Sequence, residues 1–348
     1  MNHSTVKSFT FGIGLFFTLP LVYGNSSSPS SSDGTLYINK SKTHKVAPVK
    51  YGFHYEEIGM MGEGALHAEL IRNRSFEEAT PPAGLSVKNG LYENVPAPRV
   101  KEKKVFQADP LIGWTTYPLS YTPVFISRTD ENPMSGENKY SMLVNVTEDI
   151  ANHPDALILN RGYYGMNLKT DTSYRLSLFL KNRNYSAPLR VFLVDEWGQR
   201  VSNVIEVNVG NREWTKYTGE LKPEKNVRRG MFAIQPMSKG QFQIDVVSLF
   251  PSDTWNDGKS VFRKDIVQNL KEFSPSFIRF PGGCIVHGVN EETMYHWKKT
   301  LGPIENRPGQ WSKWAPYYRT DGIGYHEFYE LCEYVGADAM SVSYTHLR

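Results

Sequence analysis

The sequence predicts a mixed fold, in which a block of antiparallel β-strands interrupts a pattern of alternating strands and helices. Three observations lead to this prediction: a strand and helix pattern in residues 35–76, short alternating runs in residues 77–251, and a second strand and helix pattern in residues 252–340. A β-rich block inside a βα pattern is typical of an inserted domain. Repeated βα units favour a doubly wound sheet or a barrel, and their spacing does not decide between the two.

The first zone contains a strand that ends near Glu56 and an apolar run that predicts a helix. An alternating segment from Leu36 to Ile38 leads to a strand from Tyr51 to Glu56, and Ala65 to Ile71 has the apolar spacing of a helix. We therefore expect residues 35–76 to contain the first strand and helix of a βα domain.

The middle zone has no helical period. Its short alternations of apolar and polar residues are separated by Asn, Gly, Pro and Asp, which favour turns. The clearest strand-like runs are Tyr174 to Leu180, Leu189 to Val194, Val204 to Val209, Met231 to Ile234 and Phe242 to Phe250. Residues 77–251 are therefore predicted to form an antiparallel sandwich.

The third zone returns to helices and strands. Apolar faces predict one helix that includes Ile266 to Phe273 and a second that includes Tyr325 to Val335. Between them lie a short strand, Phe277 to Phe280, and a long loop, and a further strand is predicted to begin at Ala339. Residues 252–340 are expected to continue the βα domain.

Composition places the chain among globular proteins and narrows its partners. Hydrophobic residues make up 40% and charged residues 22% of a chain of 348, which is long enough for two or more cores. The net charge is only +3 and no basic run with interleaved aromatics is present, so a nucleic-acid partner is not predicted. The 13% aromatic content is compatible with a carbohydrate ligand.

The amino terminus has the features of a signal peptide. Lys7 precedes an apolar stretch from Phe9 to Val22, which is too short to cross a bilayer, and Gly24 ends an acceptable cleavage site. A Ser-rich tether follows in residues 25–34. Residues 1–24 are thus expected to direct the protein to the periplasm or to the exterior.

Candidate functional residues are sought at the carboxyl ends of the predicted strands, where barrel enzymes hold their sites. Glu56 could bind sugar hydroxyls there, or pair with a nearby Arg on the rim. Arg279 lies on a strand predicted to be buried, where a guanidinium needs carboxylate partners. Gly282 and Gly283 would let a ligand approach the backbone or form an ordinary turn, and Cys284 could line a pocket or be an inert buried thiol.

Other chemistries lack their sequence signatures. Metal-ligand spacing is absent from the scattered histidines His54, His287, His296 and His326. There is no phosphate loop, nucleophile elbow or dinucleotide fingerprint, because the Gly-Ile-Gly at 322–324 lacks a third glycine and a preceding strand. No metal or organic cofactor is therefore predicted.

Four segments, in order, resemble signatures of glycoside hydrolase family 51, the α-L-arabinofuranosidases, and in particular its secreted bacterial branch. They are FHYEEIG at 53–59, AELIRNRSF at 68–76, RFPGGC at 279–284 and TDGIGYHEF at 320–328. The combination is far more specific than any single motif. The resemblance implies a partial (β/α)8 TIM barrel, interrupted at residues 77–251 by a carbohydrate-binding-module-like β-sandwich of the galactose-binding, jelly-roll kind.

The same resemblance assigns roles to the candidate residues. It implies that Glu56 binds the arabinofuranose hydroxyls, that Gly283 and Cys284 line the sugar subsite, and that Arg279 contacts the active-site carboxylates. It also implies a retaining hydrolase that releases non-reducing terminal α-L-arabinofuranosyl residues from arabinose-containing glycans without a cofactor. His287 departs from the family, which usually has an acidic residue at this position.

Both catalytic glutamates of the family lie on later barrel strands, so the resemblance implies an amino-terminal fragment that is inactive alone. Glu305, Glu327 and Glu330 do not occupy the positions of those glutamates. Residues 341–348 do not continue the family's sequence and are suspected to be a non-native tail. Two alternatives stay open, a non-catalytic carbohydrate-binding protein and a related retaining glycosidase that acts on another glycan.

Two further expectations concern cysteines and aromatic residues. Cys284 and Cys332 are expected to be free thiols, because a barrel would hold a strand end and a helix core position too far apart for a disulfide. Aromatic residues of the sandwich are candidates for glycan binding through exposed rings, namely Trp114, Tyr163, Tyr164 and Trp197.

Overall fold

The computed structural model describes residues 41, 51–78, 86–89, 91–93, 106–107, 109–288, 291, 293–312 and 317–343. The predicted signal peptide, the Ser-rich tether, the segment from Leu36 to Ile38 and residues 344–348 of the suspected tail lie outside the described residues. Internal contacts divide the chain into residues 1–49 and 50–348, and the architecture below belongs to the second unit.

Strands predominate in the described residues. The strands in chain order are β1 (Gly52–His54), β2 (Ser86–Lys88), β3 (Leu91–Glu93), β4 (Phe106–Gln107), β5 (Trp114–Tyr117), β6 (Val124–Thr129), β7 (Ser141–Val146), β8 (Leu157–Asn160), β9 (Met166–Leu168), β10 (Tyr174–Asn182), β11 (Pro188–Val194), β12 (Ile205–Asn208), β13 (Thr215–Leu221), β14 (Val227–Pro236), β15 (Gly240–Pro251), β16 (Phe277–Phe280), β17 (Gln310–Trp311), β18 (Tyr318–Arg319) and β19 (Asp338–Ser341). The α-helices in the same part of the chain are α1 (Lys264–Phe273), α2 (Gly283–His287) and α3 (Tyr325–Val335). Short 3-10 turns occupy Ile150–Asn152, Trp297–Thr300 and Ile304–Asn306.

Three strands form a parallel sheet in the order β1, β16, β19. His54 pairs with Arg279, and Arg279 pairs with Met340, so the carboxyl ends of the three strands lie side by side. Helix α1 precedes β16 and helix α3 precedes β19, which is the alternation predicted for residues 252–340. Apolar side chains of the helices and of β16 share one core, which includes Val267, Ile278, Phe280, Phe328 and Leu331.

The strands between β1 and α1 form antiparallel sheets, as the short alternating runs predict. One sheet has the strand order β13, β10, β15, β7, β6, and the other has the order β12, β11, β14, β8, β5 with β9 paired to β14. Side chains from both sheets fill a common core, for example Leu178 and Ile244 from the first and Leu193 and Ile234 from the second. Strands β2, β3 and β4 form a separate sheet.

The helix predicted over Ala65 to Ile71 is wrong. Residues Gly62–Leu66 form a single irregular turn, in which Glu63 is extended and Gly64 has a φ of 76°. A positive φ in the middle of the turn ends the helical path before it can propagate. The first α-helix after β1 in the described residues is therefore α1, which follows the antiparallel sheets.

The chain beyond this turn runs extended between the antiparallel sheets and the βα part. The Ala68 N–H donates to the Val261 carbonyl at 2.8 Å, and the Leu70 N–H donates to the Leu249 carbonyl at 3.1 Å. These partners lie nearly two hundred positions away in the chain and replace the local hydrogen bonds of a helix. Local apolar spacing carries no information about such partners.

Two smaller predictions also differ from the structure. The long loop predicted after β16 begins with helix α2. Phe273, predicted on the apolar face of α1, is 63% exposed at the end of the helix, where its ring makes a T-shaped contact with Phe53 at a centroid distance of 5.7 Å. Val267 is the fully buried residue of this helix.

Glu69 fixes the extended segment to the antiparallel sheets. Its carboxylate accepts hydrogen bonds from the backbone N–H groups of Ile71 at 3.0 Å and Leu249 at 2.8 Å, and from the Ser248 hydroxyl at 2.5 Å. The residue is only 3% exposed. Removing this acceptor would leave buried backbone donors without a partner.

Replacing Glu69 with Ala is expected to lower the free energy of unfolding by about 2 to 4 kcal/mol, the scale for breaking a buried charged hydrogen-bond network. Urea denaturation followed by tryptophan fluorescence would measure the change. Glu206→Ala is the matched control, because the Glu206 side chain is 65% exposed, and it should change stability by less than about 0.5 kcal/mol. Equal effects of the two substitutions would contradict the role given to Glu69.

Candidate functional site

The carboxyl ends of β1 and β16 bring Glu56 against Gly282. Glu56 follows the last residue of β1 by two positions, and its side chain is 11% exposed. A Cβ atom at position 282 would lie 2.3 Å from Glu56 Cδ, and Gly282 has a φ of 106°. Glycine alone tolerates both the close contact and this backbone conformation. Gly282 therefore does more than form a turn, because the Glu56 side chain packs directly against its backbone.

Arg279 is half-buried, whereas the sequence predicted a buried guanidinium. It pairs in register with His54, whose side chain is 45% exposed, so this face of the sheet is open. Arg279 Nη1 donates to His54 Nε2 at 2.5 Å. This His54 Nε2 atom also lies 3.2 Å from Glu56 Oε2. Arg279 thus contacts an imidazole that lies next to Glu56, and its contact with the active-site carboxylates stays a prediction.

The charge state of His54 follows from these neighbours. Burial and the Arg279 charge lower the pKa of His54, and Glu56 acts in the opposite direction. A neutral imidazole has one ring nitrogen that can accept the hydrogen bond from Arg279. With Nε2 as the acceptor, this nitrogen has no proton for Glu56, so His54 accepts from Arg279 and lies beside the carboxylate without donating to it.

Gly283 and Cys284 lie immediately beyond the Gly282 contact, at the start of α2. Cys284 is partly buried and Cys332 is buried in α3, and both are free thiols. Burial raises the pKa of the Cys332 thiol to about 12. The structure therefore brings the predicted residues Glu56, Arg279, Gly283 and Cys284 to the same end of the parallel sheet.

A buried acidic cluster adjoins this site, and the sequence motifs did not single it out. Glu57 is 6% exposed. Its Oε2 accepts a hydrogen bond from the Gly62 N–H at 2.7 Å, and the Tyr317 hydroxyl donates to its Oε1 at 3.1 Å. Burial raises the pKa of Glu57, and the charge of Arg319 opposes this shift. The one local signal for this role was a second carboxylate directly after Glu56.

Glu63 enters the same cluster from the irregular turn after β1. Its carboxyl group accepts hydrogen bonds from the Thr320 N–H and from the Thr320 hydroxyl, the latter at 2.7 Å. Burial and the nearby Glu57 raise the pKa of Glu63 to about 8, so this carboxyl group is protonated at neutral pH. Glu57 and Glu63 together fasten the loop after β1 to the residues that flank β18.

Glu305, Glu327 and Glu330 take part in other contacts. Glu327 pairs with both terminal nitrogens of Arg307, at 2.7 and 2.9 Å. Glu305 forms an ion pair with Lys216 of β13, and Glu330 makes an i, i+4 contact within α3. That none of the three is a catalytic carboxylate stays a prediction.

The aromatic residues considered for glycan binding differ in their exposure. Trp114 is 6% exposed and donates its indole N–H to the Asn73 carbonyl, so its prediction as an exposed ring is wrong; it points into the common core from the start of β5. Tyr164 and Trp197 are 78% and 72% exposed. Tyr163 is half-buried, with its hydroxyl 3.4 Å from Glu63 Oε2.

The described part of the chain contains no group of three or more His, Cys, Asp or Glu side chains placed to hold a metal ion. The longest α-helix in that part, α3, has 11 residues. No helix in the described part of the chain is long and apolar enough to cross a membrane.

Replacing Gly282 with Ala is expected to displace Glu56 and to lower the free energy of unfolding by about 1 to 3 kcal/mol, the cost of a strained backbone conformation. Thermal denaturation would measure the change. Gly210→Ala is the control, because no atom lies within 4 Å of a Cβ built there. If both variants melted at the wild-type temperature, the close contact between Gly282 and Glu56 would be refuted.

Replacing Glu63 with Gln is expected to reduce the pH dependence of stability. Because the folded pKa of about 8 exceeds the ordinary value of 4.5, the folded state binds more protons between these two pH values. The free energy of unfolding should therefore fall as the pH rises through this window, by at most about 1.4 kcal/mol per pH unit. Urea midpoints between about pH 5 and 8 would show a shallower slope in Glu63→Gln than in wild type. An unchanged slope would show that Glu63 is already ionised in the folded protein.

Comparison with known proteins identifies relatives over most of the chain. Residues 269–345 match a family model described as the Alpha-L-arabinofuranosidase 1 domain. Alpha-L-arabinofuranosidase 1 of Arabidopsis thaliana is 29% identical over 82% of this chain and 39% of its own length. The extracellular exo-alpha-L-arabinofuranosidase of Streptomyces chartreusis is 27% identical over 84% of this chain and 32% of its own length. The chain thus spans two fifths or less of these relatives.

A solved structure has a similar fold over most of this chain. The arabinose-bound α-L-arabinofuranosidase MgGH51 matches with a TM-score of 0.69 and 24% sequence identity, over 87% of this chain and 45% of that one. The family model covers the segment that contains β16, α2, α3 and β19, where Arg279 and Gly282 lie. By these matches, the chain is similar to α-L-arabinofuranosidases, one of which is the glycoside hydrolase MgGH51.

Proposed function

We propose that this chain is the amino-terminal part of a retaining α-L-arabinofuranosidase, which releases non-reducing terminal α-L-arabinofuranosyl residues from arabinose-containing polysaccharides or oligosaccharides. The observation that carries the proposal is the placement of Glu56, which is seated on Gly282 and adjoins the His54 and Arg279 pair. Relatives named as arabinofuranosidases, which match more than four fifths of the chain, support the substrate class.

Glu56 is assigned to hold the sugar. A carboxylate that is mostly shielded from water accepts strong hydrogen bonds from hydroxyl groups, and its geometry is fixed here by the glycine beneath it. Arg279 and His54 act as positioning residues, because their hydrogen bond holds the imidazole next to Glu56. Gly283 and Cys284, at the start of α2, are assigned to line the same subsite.

The two catalytic carboxyl groups are assigned to sequence that this chain does not include. A retaining glycosidase needs an acid/base and a nucleophile about 5 Å apart. Glu305 and Glu327 are engaged by Lys216 and Arg307, and the chain spans about two fifths of its relatives. One missing glutamate would protonate the leaving oxygen while the other forms a glycosyl-enzyme, which water then hydrolyses without a metal or organic cofactor.

The architecture of the whole protein is part of the same proposal. We assign the parallel sheet of β1, β16 and β19 to a (β/α)8 barrel, and the antiparallel sheets to a galactose-binding-like, carbohydrate-binding-module-like sandwich inserted at residues 77–251. The parallel pairing of β1 with β16 across the intervening sheets supports an insertion. The match to the MgGH51 fold supports the barrel.

Export from the cell is proposed from the amino-terminal sequence. Residues 1–24 have the charge, length and cleavage pattern of a signal peptide. The Streptomyces chartreusis relative is named as an extracellular enzyme, which supports the assignment. We assign the protein to the periplasm or to the exterior, where polymeric arabinose-containing glycans are accessible.

In the full-length protein, Glu56→Ala is expected to lower kcat/KM for an aryl arabinofuranoside by roughly 30- to 1000-fold, because charge-assisted hydrogen bonds to the sugar are worth about 2 to 4 kcal/mol in a closed site. The thermal midpoint should stay near that of wild type. Glu206→Ala, which changes an exposed carboxylate of β12, is the matched control and should leave kcat/KM unchanged.

The outcomes separate the alternatives. Unchanged kcat/KM in Glu56→Ala would show that Glu56 does not hold the sugar and is only a carboxylate on the rim of the site. Cleavage of a glucoside in preference to an arabinofuranoside would indicate a related glycosidase. Binding of glycan by wild-type protein without any hydrolysis would indicate a non-catalytic carbohydrate-binding protein.

A further inference from the structure

A cleft separate from the Glu56 site lies between the antiparallel sheets and α1. Its volume is about 670 Å³, which is within the range of small-ligand sites. One wall is the loop between β8 and β9, which carries Tyr163 and Tyr164. The opposite wall includes Arg263 and the first turns of α1. Glu56 and Gly282 are not among the described residues that line it.

The cleft has an aromatic rim. Tyr164 is 78% exposed, and the neighbouring Tyr163 is half-buried against Gly64. Tyrosine supplies a large, rigid contact surface with little loss of conformational entropy on binding. An exposed ring at the edge of a concave surface can pack against the C–H face of a sugar ring.

Two residues that line the same cleft, His67 and Thr254, are each 2% exposed. Their buried Nε2 and Oγ1 atoms have no hydrogen-bond partner in the described structure. Burial, together with the charges of Arg74 and Arg307, lowers the pKa of His67 to about 3, so the imidazole is neutral. Buried polar groups nearly always have a hydrogen-bond partner, and a bound water molecule or a ligand hydroxyl would supply one to each of these groups.

The charges around the cleft are balanced. Its lining contains the cations Lys169, Arg263 and Lys264 and the anions Glu69, Asp253 and Asp265. Arg263 is paired with Asp265 at 2.5 Å, and Glu69 accepts hydrogen bonds from backbone N–H groups. Neither Arg263 nor Glu69 therefore needs a ligand of opposite charge. A cleft with this balance favours a neutral ligand over an acidic one.

We propose that this cleft is an accessory binding site for a neutral oligosaccharide segment. Tyr164 provides the stacking surface, and Thr254 and His67 provide hydrogen bonds to hydroxyl groups. The ligand class rests on the proposed function, since a protein that acts on arabinose-containing glycans encounters neutral pentose chains. The site binds a part of the chain that lies away from the residue held by Glu56.

Calorimetric titration of the full-length protein with linear arabinohexaose tests this assignment. All proteins carry Glu56→Ala, so that binding at the Glu56 site does not mask the cleft. Tyr164→Ala is expected to raise the dissociation constant about tenfold. Thr254→Val, which replaces the hydroxyl with a methyl group, is expected to raise it roughly three- to tenfold. Trp197→Ala is the matched control, because this ring is 72% exposed but does not line the cleft. Its dissociation constant should stay within about twofold of the parent.

Each outcome decides the assignment. Equal weakening of binding by Tyr164→Ala and Trp197→Ala, or no binding at all, would overturn the site. Tighter binding of an oligogalacturonide than of arabinohexaose would overturn the neutral ligand. Arabinose release by wild-type protein with no effect of Tyr164→Ala on binding would refute the cleft but not the proposed function. Tyr164-dependent binding without arabinose release would do the reverse.

Discussion

The segment after β1 depends on one constraint, which is that its buried glutamates must be satisfied by backbone N–H groups. Five of them are at most 8% exposed: Glu57, Glu63, Glu69, Glu77 and Glu78. Each accepts a hydrogen bond from the main chain, and the donors lie in the segment itself, in the antiparallel sheets and beside β18. Because an unsatisfied buried carboxylate is costly, the path of this segment is fixed by where those donors are.

This constraint couples the two architectural parts of the molecule. The same short stretch of chain carries Glu56 at the candidate site, Glu57 in the buried cluster and Glu69 at the edge of β15. The position of the Glu56 carboxylate is therefore set from two sides, by its contact with Gly282 and by the anchored loop that follows it. A site residue on a loop gains precision when the loop has few alternative conformations.

Elements with strong internal periodicity were predictable from the sequence, and elements defined by distant partners were not. The alternation in Tyr174 to Leu180 and the helical face that ends at Gly336 depend on local side chains, and both match the structure. The stretch from Ala65 to Ile71 has helical apolar spacing, but its N–H groups bond to remote carbonyls. For the site, the motifs indicated Glu56 and Arg279, whereas the imidazole between them and the protonated Glu63 depend on tertiary contacts.

The pairing of β1 with β16 has a consequence for how the chain reaches its native state. His54 and Arg279 are 225 positions apart, and closing so long a loop in a disordered chain is entropically unfavourable and slow. The folded antiparallel sheets hold their entry and exit strands together, because the Leu70 N–H meets the Leu249 carbonyl and the Val247 N–H meets the Arg74 carbonyl. Once these sheets have formed, the chain between β1 and β16 that remains to be ordered is reduced to residues 55–69 and to residues 250–276, which include α1. The order of events during synthesis is therefore expected to run from the interior of the chain outwards, with the antiparallel sheets acting as the folding template for the parallel strands on either side.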